Sequence, residues 1–354
     1  MRVVHLADEP YDSGLTQYAL RAAEGLAKRG HVCGFWGLAG APPLEAARRA
    51  GLETFGFRHP WLELPTLRRA LADFRADVLV AHTGSAHVLG AALCARGETA
   101  LVRVRGDSRP LKRRPGARLL WGRTRALVCA NEAIRAEFAA LFPDLPVPAS
   151  VVYEGLEDRG APTPPPGGSP VFGIVARLDP VKGHAVLLDA FARAARALPD
   201  ARLTVVGRPE NVTSLELVER AARLGVGDRV TFEGHVPDPD DYMRRCHVGV
   251  VSSTGSEAVS RAAVEWMAAA RPLVATRVGC LPEYVDDGRT GRLVRPDDAE
   301  ALAAALVELG SDPLLRERWG RAARARYESL FTAARFLDET EKTLHDALHG
   351  VPSR

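Results

Sequence analysis

The 354-residue chain lacks several features that would narrow its role at once. Its five cysteines (Cys33, Cys94, Cys129, Cys246, Cys280) are scattered, with no Cys-x-x-Cys and no Cys/His ligand spacing. This argues against a structural zinc and for a reducing compartment, in which the thiols serve as small buried hydrophobes. No apolar run is long enough to span a bilayer, and Met1–Leu6 is too short and too strand-like for a signal peptide. The expected location is cytoplasmic, with contact at the inner face of the membrane left open. Net charge is only +3, which neither demands nor excludes an anionic partner, and a 46% apolar share argues against disorder. The chain has no G-x-S-x-G, no P-loop lysine motif and no H-E-x-x-H. Without G-x-G-x-x-G after the first strand, a nicotinamide dehydrogenase is disfavoured. No nucleic-acid reader motif occurs, and no aromatics interleave with the basic residues, so no nucleic-acid partner is expected.

What is present is an alternation of strand and helix patterns. Val3–Leu6, Val32–Trp36, Val78–Ala81, Leu101–Val104 and Ala126–Cys129 read as strands in the first half. Helices are expected near Thr16–Lys28, closed by Gly30, and near Pro65–Phe74. The segment 159–170, rich in Pro and Gly, continues neither element. The pattern then restarts. Strands are expected at Val171–Val175, Leu203–Gly207, Val230–Phe232, Val248–Val251 and Leu273–Thr276, with helices near Val186–Ala197 and Leu215–Leu224. A final helix runs from about Thr332 to Leu348. The fold class is α/β, with two Rossmann-like halves facing each other across a cleft. The boundaries read as 1–160, a linker over 161–170, 171–330, and a C-terminal segment 331–354.

Two acids stand out. Glu257 lies on the loop after the strand Val248–Val251 and Glu265 on the helix that follows. Ligands of open α/β sheets bind where such loops leave the strands, and carboxylates there can accept hydrogen bonds from vicinal hydroxyls. Arg177 and Lys182 follow the strand Val171–Val175, where two cations can neutralise a diphosphate. Cations and carboxylates at neighbouring strand ends describe a ligand with phosphates and hydroxyls, such as a nucleotide sugar.

These motifs resemble those of the retaining glycosyltransferases of family 4, which have the GT-B fold. The family's E-x7-E is matched by Glu257 and Glu265. Its G-R-L…K-G reads here as Ala176-Arg177-Leu178 and Lys182-Gly183, and its G-x-P-E stretch as Gly279-Cys280-Leu281-Pro282-Glu283. The resemblance implies that Arg177 and Lys182 hold the donor diphosphate, Glu257 binds hydroxyls of the transferred sugar, and Glu265 accepts from the ribose. Amides of Ala258, Val259 and Ser260 would face phosphate at a helix N-terminus. It also brings Gly207 to the donor, and His235 and Val236 to the base; His235 reads equally as a solvated loop histidine. Gly14 matches the glycine loop after the first strand, with Ser13 in place of a second glycine, and reads either as a phosphate-approach position or as an ordinary turn. His82 matches the second histidine of an H-A-H stretch. It is a candidate donor to sugar or phosphate, or a satisfied structural histidine. Glu154 replaces the asparagine of a P-N-G motif.

In that family the first half binds acceptor. The basic stretch Arg103–Arg125, with Arg103, Arg105, Arg113 and Arg114, is therefore a candidate for an acidic acceptor or the membrane surface, or a solvated loop. Asp238-Pro239-Asp240 is expected to cap a helix rather than hold metal. No metal or cofactor is expected. The implied activity is retaining transfer of a sugar from a nucleotide-sugar donor to a hydroxyl of a saccharide or lipid-linked acceptor, in envelope polysaccharide or lipopolysaccharide assembly. A nucleotide-sugar epimerase of the same fold and a non-catalytic binding protein are the alternatives.

Overall fold

The computed structural model describes residues 1–164 and 167–350; Pro165 and Pro166 of the Pro-rich segment, and residues 351–354 of the C-terminal segment, lie outside the described residues. The chain forms two compact units, Met1–Glu154 with the segment from Ala334, and Gly155–Ala333.

The first unit carries a parallel sheet of β1 (Arg2–Ala7), β2 (Val32–Leu38), β3 (Glu53–Phe57), β4 (Val78–Ala81), β5 (Ala100–Arg105), β6 (Ala126–Cys129) and β7 (Ala149–Val151), ordered β3-β2-β1-β4-β5-β6-β7. Both faces are covered, which is why its strands read as near-continuous apolar runs. Along β1, Val3 joins the core that holds Leu26, Phe35 and Leu44. Val4 and Leu6 join the opposite core with Leu67, Phe74 and Leu79. The C-terminal helix Ala333–His349 contributes Phe336, Leu344 and Ala347 to the first of these cores. Leu337 presses on the first helix so closely that a Cβ on Gly25 would lie 2.4 Å from it.

The second unit repeats the plan with β8 (Val171–Val175), β9 (Arg202–Val206), β10 (Val230–Gly234), β11 (Val248–Val251), β12 (Leu273–Thr276) and β13 (Gly291–Val294), ordered β10-β9-β8-β11-β12-β13. Its core gathers Phe172, Ile174, Leu187, Phe191, Leu203, Val250, Leu306 and Trp319.

The division between units falls at Glu154/Gly155, upstream of the Pro-rich segment expected to be the linker. Gly155 explains the position. A Cβ there would stand 2.1 Å from the Thr332 carbonyl oxygen. The two passing strands of chain are stitched by Leu156 N–H to Phe331 O and Ala333 N–H to Leu156 O, both 2.9 Å. Only glycine permits that approach. Six elements of the first half escaped sequence reading: the helices Pro42–Arg49, Gly84–Leu93, Ala117–Gly122 and Glu132–Leu141, with β3 and β7. Pro42 and Pro43 resemble breakers but occupy the first helical positions, where a missing N–H costs nothing. Among the described residues no helix is long and apolar enough to cross a membrane.

Candidate functional site

In the second unit, β8 and β11 are neighbours whose connections depart in opposite directions along the sheet. Such a switch point opens a crevice at the strands' carboxyl ends. The loop after β8 makes a single 3-10 turn, Pro180–Lys182, capped by the Asp179 carboxylate, which accepts from Val181 N at 3.0 Å. Gly183 then adopts φ +69°, and a Cβ on it would lie 1.9 Å from the Ser252 carbonyl oxygen. Ser252 Oγ donates to Lys182 O at 3.0 Å, and Thr254 N–H to Val181 O at 2.8 Å. The loops after β8 and β11 are thus fastened together by their backbones.

That fastening brings Lys182 Nζ to 2.5 Å from Glu257 Oε1. Ser253 Oγ donates to the same oxygen, also at 2.5 Å. Glu257 is 4% exposed and Lys182 21% in their side chains, so the pair lies in a partly dry setting where its attraction is strengthened. From below, Thr276 Oγ1 holds the Ser253 carbonyl at 2.6 Å. The Cys280 amide donates to Glu257 O at 2.7 Å, and Gly279, at φ +53°, packs where a Cβ would lie 1.9 Å from that oxygen. Burial, and then the Glu257 carboxylate, push the Cys280 thiol well above its usual range, leaving it protonated and inert.

The other two members of the expected quartet have different partners. Arg177 extends to Glu210, Nη1 to Oε1 3.1 Å, and Glu265 accepts from Arg261 Nε at 2.8 Å. Ala258 and Val259 are half-buried and Ser260 is buried where the helix Arg261–Ala268 begins. His235 is exposed and Val236 half-buried just beyond β10. Gly207 has a packing cause of its own: a Cβ would meet Ala176 O at 1.8 Å. Asp238 accepts from Asp240 N at 3.1 Å and pairs with Arg159, while Asp240 holds Arg244 at 2.6 Å. The helix Asp240–Arg245 has Pro239 at its N-cap with no side-chain cap, so the expected carboxylate cap is not made; Asp238 accepts from the Asp240 amide just ahead of it.

In the first unit, β1 and β4 form the corresponding switch point. Gly14 opens the helix Gly14–Lys28 with open space around its Cα, and Ser13 is the N-cap, closing a reciprocal box with Thr16. The serine that departs from the family's glycine thus has a local structural role. His82 is fully buried, its Nε2 3.0 Å from His5 Nδ1. Desolvation lowers both imidazoles, His5 to about 3 and His82 well below its usual value, so the pair is neutral near pH 7. Thr83, the next residue, hydrogen-bonds Asp8 at the end of β1.

The basic stretch is not one surface. Arg103 and Arg105, expected among the acceptor-facing cations, are buried on β5. Arg103 donates to Ala81 O at 2.9 Å and Val104 O at 2.5 Å; Arg105 reaches Arg109 O. Their guanidinium groups are turned to backbone carbonyls and to the carboxylates of Asp107 and Glu137 instead of facing solvent. Arg113 and Arg114 are exposed, with Arg113 Nε donating to Leu141 O at 2.8 Å. Sequence reasoning missed Ser253, Thr276 and His5, whose contacts follow no spacing rule, and Arg261, whose i,i+4 spacing to Glu265 could have signalled the pair.

A family profile described as Glycosyl transferases group 1 matches residues 169–312, and one described as Glycosyltransferase Family 4 matches residues 13–159. A D-inositol 3-phosphate glycosyltransferase of Mycolicibacterium gilvum is 31% identical over 350 residues, covering 91% of this chain and 74% of that protein. Another of the same description, from Streptomyces avermitilis, is 34% identical over 214 residues, 58% of this chain. That match spans 46% of the Streptomyces protein, less than half of its length. Among solved structures, Anabaena HepE in complex with UDP superposes with a TM-score of 0.85 at 21% identity, covering 98% of this chain and 100% of that one. A glycosyltransferase from Rickettsia africae gives 0.86 at 15% identity, with 99% of each chain covered. At these identities the structural likeness is one of fold.

Proposed function

The chain belongs to glycosyltransferase family 4, with the GT-B fold, and from that premise we propose that it transfers a sugar, with retention, from a nucleoside-diphosphate sugar to a hydroxyl of an acceptor. The observation that carries this reading is the Lys182–Glu257–Ser253 cluster at the switch point of the second unit. Lys182 offers an ammonium to the departing diphosphate, and Arg177, on the same loop, offers a second cation. Charge stabilisation of the leaving group is then the main catalytic term. Glu257, fixed through one oxygen by two donors, accepts from hydroxyls of the transferred sugar. Glu265 accepts from the ribose. The leaving phosphate itself receives the acceptor proton, the role that resemblance to the retaining family implies for it.

For the acceptor, the curated relatives' names favour a phosphorylated polyol or its lipid over the envelope polysaccharide or lipopolysaccharide first expected. A phosphatidyl-myo-inositol mannosyltransferase of Mycobacterium leprae, 34% identical over 164 residues, supports the same chemistry. Membrane contact is proposed through the exposed Lys112, Arg113, Arg114 and Arg118 with Leu119 beside them. Cations next to an apolar side chain suit an anionic lipid surface. The test is product formation from UDP-, GDP- and ADP-sugars, with and without inositol phosphate or phosphatidylinositol, and NMR of the new anomeric centre. Sugar transfer that requires acceptor and retains configuration supports the reading. Product from donor alone would indicate an epimerase instead.

A further inference from the structure

Arg261 stands where helix electrostatics disfavour a cation. It is the first residue of the helix Arg261–Ala268, whose opening turn contains no acidic residue. Free N–H groups and the macrodipole concentrate positive potential there. Its pairing with Glu265, four residues on, has the basic residue N-terminal to the acid, the poorer orientation for such a pair. Yet Arg261 Nε is 2.8 Å from Glu265 Oε1, with the arginine side chain 50% exposed and the glutamate 14%. Asp238 also lies within electrostatic reach of Arg261, but its carboxylate is held first by Arg159 and then by the Asp240 amide. Neither the dipole nor the pair geometry accounts for an arginine at this position.

The surroundings supply a pattern. Cations at the carboxyl end of this sheet rest on carboxylates, Lys182 on Glu257, Arg177 and Arg208 on Glu210, Arg277 on Asp287 and Arg261 on Glu265. A nucleoside-diphosphate sugar has the inverse complement. Its phosphates match the cations and its hydroxyls match the carboxylates. At the helix N-terminus a bound phosphate would also reverse the unfavourable sign, because the anion would face both the free amides and the guanidinium.

We propose that Arg261 is a third phosphate ligand and that it exchanges partners when donor binds, leaving Glu265 for the diphosphate so that the freed carboxylate can accept the ribose hydroxyls. The exchange rests on the donor reading given above. It makes Arg261 a determinant of diphosphate over nucleoside: the arginine competes with a bare nucleoside for Glu265 but joins a diphosphate in binding.

The experiment compares wild type and Arg261→Ala in titrations with a nucleoside diphosphate and with the matching nucleoside, using whichever of uridine, guanosine or adenosine the wild-type protein prefers. Diphosphate affinity should fall about tenfold, whereas nucleoside affinity should hold or rise a few-fold. Arg261→Lys should retain part of the diphosphate affinity. Arg261→Gln, which keeps a hydrogen bond to Glu265, serves where the alanine variant melts early. Equal losses for both ligands, or no loss for either, would overturn the exchange while leaving the donor reading in place. Failure of the wild-type protein to bind any nucleoside diphosphate would remove both.

Discussion

Gly183 approaches Ser252 so closely that a Cβ on the glycine would lie 1.9 Å from the serine's carbonyl oxygen, and its φ of +69° is one that side chains rarely adopt. The residue before it is Lys182, and the residue after Ser252 donates to Glu257. A close backbone contact at the second unit's switch point therefore adjoins both residues of its charged pair in sequence. Gly183→Ala would meet both strain and collision, costing on the order of 1–3 kcal/mol. The melting temperature should fall by several degrees. The larger effect should be on turnover, since displacing Lys182 by about 1 Å can cost roughly 100-fold. A variant with native melting and native turnover would show that the loops are not held as described.

Lys182→Ala removes the ammonium from the leaving group and should lower kcat by about 100- to 1000-fold, the usual loss for one charge-stabilising donor. It also leaves Glu257, 4% exposed, with Ser253 as its side-chain donor. A buried carboxylate that loses its cation costs about 3–5 kcal/mol. Adding Glu257→Gln should recover most of the lost stability, because a neutral amide still accepts from Ser253, and should recover none of the activity. Thermal melts and steady-state kinetics on the two single variants and the double separate these effects. A double variant no more stable than Lys182→Ala alone would contradict the placement of the pair.

The alternation of strands and periodic helices was legible in the sequence because both sheets are covered on both faces, so the central strands such as β4, β6, β11 and β12 are apolar runs. Lys182 and Glu257 were legible through their positions after apolar strands and their motif spacing. The partners were not. Arg177 with Glu210 is a choice among nearby acids that depends on rotamers and loop heights. Arg103 and Arg105 misled because a run of arginines reads as surface; on a parallel strand, a long guanidinium can instead fold back onto backbone carbonyls. The division at Glu154/Gly155 lies a few residues ahead of the segment whose proline and glycine content marks where the chain cannot be regular.

Buried histidines give stability a dependence on pH. Burial lowers His5 and His87 to about 3 and His184 to about 4. The folded chain keeps them neutral where the unfolded chain, titrating near 6.5, already takes up protons. Unfolding then binds protons, so stability is full above about pH 6.5 and declines as pH falls toward the folded values, by up to about 1.4 kcal/mol per pH unit for each imidazole. Melting temperature should drop between pH 7 and 5, above the range where carboxylates titrate. His87 accepts or donates through Nε2 to Thr124 Oγ1 at 2.8 Å and packs 4.6 Å from Trp121. His87→Gln should melt lower than wild type at pH 7.5 and lose less on acidification. A wild-type melting temperature that stayed flat from pH 7 to 5 would contradict the neutral buried state.

Arg113 and Arg114 separate the roles of the two units. Both are exposed in the first unit, three and more residues before the short helix Ala117–Gly122, which presents Leu119 to solvent. Both belong to the first unit and the charged pair to the second, so donor chemistry is expected to be indifferent to them. Replacing both with serine should slow transfer to a lipid-linked acceptor in anionic vesicles, about thirtyfold if each cation contributes on the order of 1 kcal/mol at the membrane surface. Slow donor hydrolysis in the absence of acceptor should be unchanged. Raising salt should erase most of the difference between variant and wild type, because screening removes the attraction that the serines have already abolished. The reverse pattern, lost hydrolysis with unaltered dependence on vesicle charge, would assign these arginines to donor binding and remove the membrane role proposed for the segment.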